Sequence, residues 1–428
     1  MGERTRLLTG AAGLLRERRE AYATLITREM GKPIAEARAE IDKCALTCDF
    51  YAEMAAGFLA PEPVETAADD SFAAYEPLGV VLAIMPWNFP FWQVTRFAAP
   101  ALLAGNGGLL KHAPNVSGCA LAFEAVLADA GFPAGLFRTL LVDEGTVAET
   151  TARLLADPRI AAVTITGSDR AGAQVAAAAG RALKKSVLEL GGSDPFLVLA
   201  DADLPAVAAQ AARSRFLNSG QSCLAAKRFV VEEVVADEFE GRFVEAVEAL
   251  VVGDPMDPAT QVGPPARADL VDGLDRQVRG SVAKGARVLT GGRRLGDRGC
   301  FYAPTVLGGV GPGMPAYDEE TFGPVAAVIR VADEARAVEV ANDTPYGLGA
   351  SVWTRDVDRG LRVARRVRSG AVFVNAVVAS DPRLPFGGIK RSGYGRELAA
   401  AGIREFTNLR TWWVSGSAAP DPGAALTE

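Results

Sequence analysis

The sequence predicts an α/β fold in two units, a doubly wound parallel sheet followed by a second series of strands and helices. Three observations carry that expectation. The unbroken apolar run of strand length at 80–85 suits a strand covered on both faces of a parallel sheet, and 161–166 reads as another strand of the series. These strands alternate with helical patterns from 78 to 200, and parallel strands need crossovers of that kind. The alternation starts again at Pro195 after Gly191 and Gly192, which puts a boundary near 191–194, and a chain of 428 residues exceeds what one core usually supports.

Taken in order, Leu7, Leu8, Leu14, Leu15, Tyr22, Leu25, Ile26 and Met30 recur with helical spacing over 4–30, and Gly31 and Pro33 end that helix. A second helix spans 34–58, with Cys44 and Cys48 one turn apart as core residues, and 61–70 reads as a loop. Strand 80–85 runs into Pro86-Trp87-Asn88-Phe89-Pro90, where two prolines force a turn and Pro90 suits the first position of a helix over 92–103. Asn88 stands at the carboxyl end of a buried strand, where open α/β sheets hold their ligands, although a helix cap is the plain alternative. Strand 108–113 carries Lys111 and helix 117–130 follows.

After strand 161–166, Gly167 and Ser168 open a helix with Gly172 in its first turn, a junction suited to anions. It is not a P-loop, because no Lys-Ser/Thr pair follows Gly172, and no strand-linked GxGxxG is present. Strand 186–190 places Glu189 in an apolar stretch before two glycines, a setting that raises a carboxyl pKa toward that of a base. Asp203 caps a helix reaching Phe216, just ahead of the turn Asn218-Ser219-Gly220-Gln221-Ser222-Cys223. The pattern continues with strand 228–232, helix 234–250, a loop over 253–265, a helix to 284 and strands near 286–290, 302–307, 325–331 and 371–375. Residues 385–393 are dense in glycine, and 417–428 read as a disordered tail.

Composition narrows the chemistry. A net charge of −7 leaves no basic footprint for nucleic acid, and no apolar run is long enough to span a membrane, so a small molecule is the expected partner. Five scattered cysteines form neither a disulfide framework nor a CxxC metal motif; a reducing cytoplasm and no metal are expected. His112 is the only histidine, so any Cys-His or Ser-His scheme runs through that residue, and acid-base work near Cys223 falls to a carboxylate. Cys223 itself is either a buried structural thiol or a nucleophile in a glycine-containing turn.

Six motifs in order decide between these. The PWNFP stretch, Thr166-Gly167-Ser168, LELGG at 188–192, GQSC at 220–223, EETFGPV at 319–325 and PFGGIKRSGYGRE at 385–397 resemble those of the aldehyde dehydrogenase superfamily over nearly the whole chain. The resemblance implies a Rossmann-like coenzyme domain at 1–63 and 77–191, a catalytic domain at 192–407 and an oligomerisation arm at 64–76 and 408–416. It also implies a segment ahead of the first helix that this chain does not carry, and a homodimer or homotetramer. By the same match, Cys223 is the nucleophile, Asn88 an oxyanion donor and Glu189 the general base. Trp87, Lys111, Gly167, Ser168, Gly172, Leu190, Glu320 and Phe322 form the coenzyme cleft. Where NAD-preferring members often carry a glutamate three residues after the lysine, this chain has Pro114, which points to NADP, with NAD also possible.

The wording of many stretches is similar to bacterial succinate-semialdehyde dehydrogenases. That likeness implies oxidation of succinate semialdehyde to succinate, with Arg96 meeting the substrate carboxylate and Ser380 assisting. A second arginine found in some members is replaced by Leu217. Another short aldehyde or semialdehyde, or a CoA-acylating reaction, is the alternative.

Overall fold

The computed structural model describes residues 1–296 and 299–416 and arranges them in three sheets. The first has six strands in the order Gly393–Tyr394, Lys185–Glu189, Ile160–Thr166, Val80–Met85, Gly107–His112 and Phe137–Leu140. Its five longer strands are parallel and the short Gly393–Tyr394 strand is antiparallel. Strand Val80–Met85 shows why the sequence had no polar alternation. Val81, Ala83 and Met85 pack with the helices of the first 130 residues on one face, while Leu82 and Ile84 join Leu155, Val175 and Ala179 on the other.

The second sheet orders Arg287–Thr290, Thr305–Gly308, Val325–Val331, Arg228–Glu232, Pro195–Val198, Ser351–Trp353 and Phe373–Val374, parallel except for the antiparallel edge at Arg287–Thr290. It too is covered on both faces, since Leu197 and Val230 enter one core and Phe196, Val198 and Phe229 the other. The third sheet is the antiparallel set Glu62–Pro63, Asp70–Pro77 and Thr407–Val414. Phe72 stacks on Trp412 there, while Trp413 and Val414 stay exposed.

Several elements depart from the sequence reading. The opening helix breaks at Arg18 into Gly2–Glu17 and Arg19–Met30. The loop read over 61–70 contains the Glu62–Pro63 strand, and Pro90 lies in the turn ahead of helix Trp92–Leu103 instead of opening it. Strand Phe137–Leu140 and helix Val147–Ala156 were not anticipated. A single cut near 191–194 also misses that the chain returns: Gly393–Tyr394 pairs with Lys185–Glu189, and helix Ala399–Glu405 packs on Ile34–Phe58 and Trp92–Leu103. The expected tail at 417–428 lies outside the described residues. Among the described residues no helix is long and apolar enough to cross a membrane.

In the first sheet the chain moves outward from Val80–Met85 to Gly107–His112 and Phe137–Leu140, then returns to lay Ile160–Thr166 on the opposite side. That reversal is a topological switch point, and the carboxyl ends of the two strands flanking it carry Asn88 and Gly167-Ser168.

Candidate active site

Cys223 sits where two cavities meet. One, of about 690 Å³, is lined mainly by apolar side chains such as Phe89, Trp92 and Leu217 and also takes in Lys43, Arg96 and Ser380. The other, of about 250 Å³, is a cleft walled by Trp87, Gly167, Ser168, Leu190, Glu320 and Phe322. Gln93 and Cys223 line both.

The turn that presents the thiol is held in an uncommon backbone shape. Asn218 and Ser219 have φ 54° and Gly220 φ 75°, so three consecutive residues are left-handed. A Cβ at Gly220 would lie 2.2 Å from the Gly323 carbonyl oxygen, which restricts that position to glycine. The two strained non-glycine residues are fixed by long-range bonds. Glu36 accepts the Asn218 N–H at 2.6 Å, the Asn218 amide donates to Asn88 O at 2.8 Å, and Ser219 Oγ accepts from Gly263 N at 2.9 Å. Arg215, fully buried, donates to the carbonyls of Gly220, Gly323 and Ala226 and so ties the turn to the loop carrying Glu320 and Phe322.

The Asn88 amide donates one N–H to Gln221 O at 3.0 Å and its Oδ1 accepts from Gln93 at 3.0 Å. An amide nitrogen carries two protons, so one remains for a ligand. Burial pushes the Cys223 thiol up to about 11, with Lys227 and Arg96 opposing. Lys227 donates to the Cys223 and Ser222 carbonyls and pairs with Glu320 at 3.3 Å.

Glu189 is buried and forms no wall of either cavity. Its Oε1 faces Gly387, and burial together with the neighbouring Glu397 holds its carboxyl well above the ordinary range, against Arg96 and Arg396. Arg96 has a protein partner that the sequence reading did not supply: it is ion-paired with Glu397, donates to Thr166 Oγ1 at 3.3 Å and lies over the Phe386 ring.

The cleft fits a nicotinamide dinucleotide. Ser168 lines the cleft and caps helix Asp169–Arg181, accepting from Ala171 N, so the positive end of that helix lies at the cleft, a setting suited to pyrophosphate. A Cβ on Gly172 would meet Leu190 at 2.5 Å, so glycine lets that helix approach the sheet closely. Glu320 offers a carboxylate acceptor, and Trp87 and Phe322 meet edge to face beside it. A further cavity of about 220 Å³, lined by His112, Pro114, Ser117 and Asp143, lies at the ends of the Gly107–His112 and Phe137–Leu140 strands. Lys111 is buried without joining that wall; burial lowers its pKa and Glu144 opposes.

His112 does other work. Its Nε2–H donates to Pro90 O at 2.9 Å and its Nδ1 accepts from Ala113 N at 2.9 Å, which anchors the loop bearing Asn88. Burial pushes its pKa down to about 4 from 6.5. The folded state therefore keeps it neutral, while the unfolded chain takes up a proton below 6.5. That stability is fully present above pH 6.5 and is lost as pH falls toward 4, a loss of about 3 kcal/mol. Urea unfolding of the wild type and of His112→Gln across pH 7 to 4 should show this difference shrinking as pH falls; a constant difference would refute it.

The sequence reading missed Glu36, Glu40, Lys43, Arg215, Lys227 and Glu397. Two local signals were present: Glu397 closes the PFGGIKRSGYGRE motif, and 36, 40 and 43 are charges at helical spacing on one face of Ile34–Phe58. From it Glu40 accepts the Phe91 and Trp92 N–H groups and pairs with buried Lys32.

A thiol set between an apolar funnel and a dinucleotide cleft at the switch point of a doubly wound sheet is the arrangement of a cysteine-dependent oxidoreductase. The chain belongs to the aldehyde dehydrogenase family, whose pattern matches residues 1–412. It is similar to a probable NADP(+) succinate-semialdehyde dehydrogenase of Synechocystis, 52% identical over 413 residues, covering 96% of this chain and 90% of that one. It is also similar to the NAD(P)+ succinate semialdehyde dehydrogenase Sad of Escherichia coli K12, 52% identical over 399 residues, covering 93% and 86% of the two chains. Among solved structures, a succinic semialdehyde dehydrogenase of Streptococcus pyogenes in complex with NADP+ superimposes with a TM-score of 0.93 at 38% identity, covering 97% of this chain and 90% of that one.

Proposed function

We propose that the chain oxidises succinate semialdehyde to succinate with NADP, through a covalent intermediate on Cys223. The observation that carries this reading is the position of Cys223 at the junction of a cleft fitted to a dinucleotide and a largely apolar cavity whose wall includes Lys43, Arg96 and Ser380 as well as Glu36 and Glu40.

In this scheme Cys223 Sγ, once deprotonated, attacks the aldehyde carbon and forms a thiohemiacetal. The free amide N–H of Asn88 and the Cys223 backbone N–H take the oxyanion; losing one such donor costs about two to three powers of ten in rate. The coenzyme, when bound, supplies the hydride acceptor. Glu320 and Lys227 hold one side of its cleft, and Trp87 and Phe322 keep water from that face. Glu189 then swings from Gly387 toward Cys223 and takes a proton from the water that hydrolyses the thioester.

Two features support the finer assignments. Pro114 stands where a glutamate would repel a 2′-phosphate, leaving Asp143 as the carboxylate in the wall of the 220 Å³ cavity, and both relatives named above carry NADP(+) or NAD(P)+ in their names. The exposed edge at Trp412, Trp413 and Val414 offers a surface for a second copy of the chain, consistent with a homo-oligomer. Absorbance at 340 nm over a panel of aldehydes, without CoA, tests the whole reading. Succinate semialdehyde should show the highest kcat/KM, and NADP should exceed NAD. A preference for NAD, or acid formation that needs CoA, would overturn it.

A further inference from the structure

The wall of the 690 Å³ cavity contains a cation that none of the six motifs includes. Lys43 projects from helix Ile34–Phe58, half-buried, and its ammonium donates to Ser380 Oγ at 2.7 Å. The same nitrogen lies 4.2 Å from the centroid of the Trp92 ring. An ammonium carries three protons, and these two contacts leave one directed elsewhere.

The neighbouring buried cations are answered by carboxylates. Lys32 pairs with Glu40, Arg96 with Glu397 and Lys227 with Glu320. Among the described residues Lys43 has no carboxylate within ion-pair distance. Arg213, the other cation of this wall without one, is solvent-exposed and loses little by standing alone. A cation removed from water into a wall of Phe89, Trp92, Leu217 and Val378 is costly unless an anion joins it. Burial, and after it the charge of Arg96, pushes the Lys43 pKa down to about 8, with Asp381 and Glu40 opposing from beyond ion-pair distance.

We infer that Lys43, linked to Ser380, receives the distal carboxylate of the substrate beside Arg96, which lines the same cavity and already carries Glu397 as a partner. This inference rests on the proposal that the substrate is an acid-bearing aldehyde. A substrate carboxylate would take the free proton of Lys43 in a charge-assisted bond, and the apolar wall would take the carbon chain. Ser380, predicted as a substrate residue from sequence, then acts by orienting the ammonium.

The test compares kcat/KM for succinate semialdehyde with kcat/KM for butanal, a neutral aldehyde of equal length. Lys43→Met keeps the volume and removes the charge, and Lys43→Arg keeps the charge. The ratio of the two constants should fall about ten- to a hundredfold in Lys43→Met and be largely retained in Lys43→Arg. A partly unfolded preparation lowers both constants together and leaves the ratio intact. If Lys43→Met does not fold, Ser380→Ala takes its place, with a smaller fall expected. A wild-type ratio well above one that Lys43→Met leaves unchanged would overturn the role of Lys43 and return the carboxylate to Arg96. A wild-type ratio near one would overturn the substrate reading itself, and with it the role of Lys43.

Discussion

Cys223→Ala is expected to abolish aldehyde-dependent formation of reduced coenzyme while leaving coenzyme affinity nearly unchanged. The thiol lies at the junction of the two cavities, so removing its sulfur deletes the only atom at that point able to form the covalent intermediate. The turn that carries it is held by Glu36, Arg215 and Asn218 through backbone groups and through side chains other than that of Cys223, so alanine leaves the turn in place. The coenzyme cleft is walled by Trp87, Ser168, Leu190, Glu320 and Phe322, and loses at most one thiol contact. Steady-state assays at 340 nm and a fluorescence titration with the reduced coenzyme check the two halves of this result. Surviving turnover would remove Cys223 from the chemistry. Lost coenzyme binding would show instead that the thiol supports the cleft.

Glu189→Gln should separate the two halves of the reaction. Reduced coenzyme should appear as a burst equal to the number of sites, followed by a steady rate about 10² to 10⁴ below the wild type. The amide keeps the shape of the carboxyl among Gly387, Glu397 and Arg96 but cannot accept a proton from water. The pH profile carries a second mark. Burial and then Glu397 raise the Glu189 pKa above the ordinary carboxylate range, so in this position the group keeps its proton at pH values where an ordinary carboxyl has lost it. A base must lose that proton, so the wild-type steady rate should climb with pH on a limb displaced upward from the carboxylate range, and Glu189→Gln should lack that limb. A variant with no burst and a full steady rate would assign the base elsewhere.

Both residues were legible in the sequence because each sits in a local pattern. Glu189 ends an apolar strand-length run before two glycines, and Cys223 follows a helix in a turn with Gly220. The parallel strands 80–85, 160–166 and 325–331 were legible for the same reason: a strand buried on both faces writes its environment into consecutive residues. Phe137–Leu140 was not, because its burial is confined to Phe137 and its other residues carry no apolar run.

The sequence by itself determined the α/β class, the family motifs and the identity of Cys223, Asn88 and Glu189 as the residues to watch. Only the tertiary structure decided what surrounds them. Glu36 reaches Asn218 across 182 residues, Lys43 reaches Ser380 across 337, and Arg96 meets Glu397 from the far end of the chain. Periodicity and turn chemistry report on neighbours a few positions away, whereas the partner of a buried charge is set by which strand ends and helices the fold brings to one point. For Arg96 the fold supplies a carboxylate partner, Glu397, and for half-buried Lys43 a hydroxyl partner, Ser380, neither of which any local pattern announces.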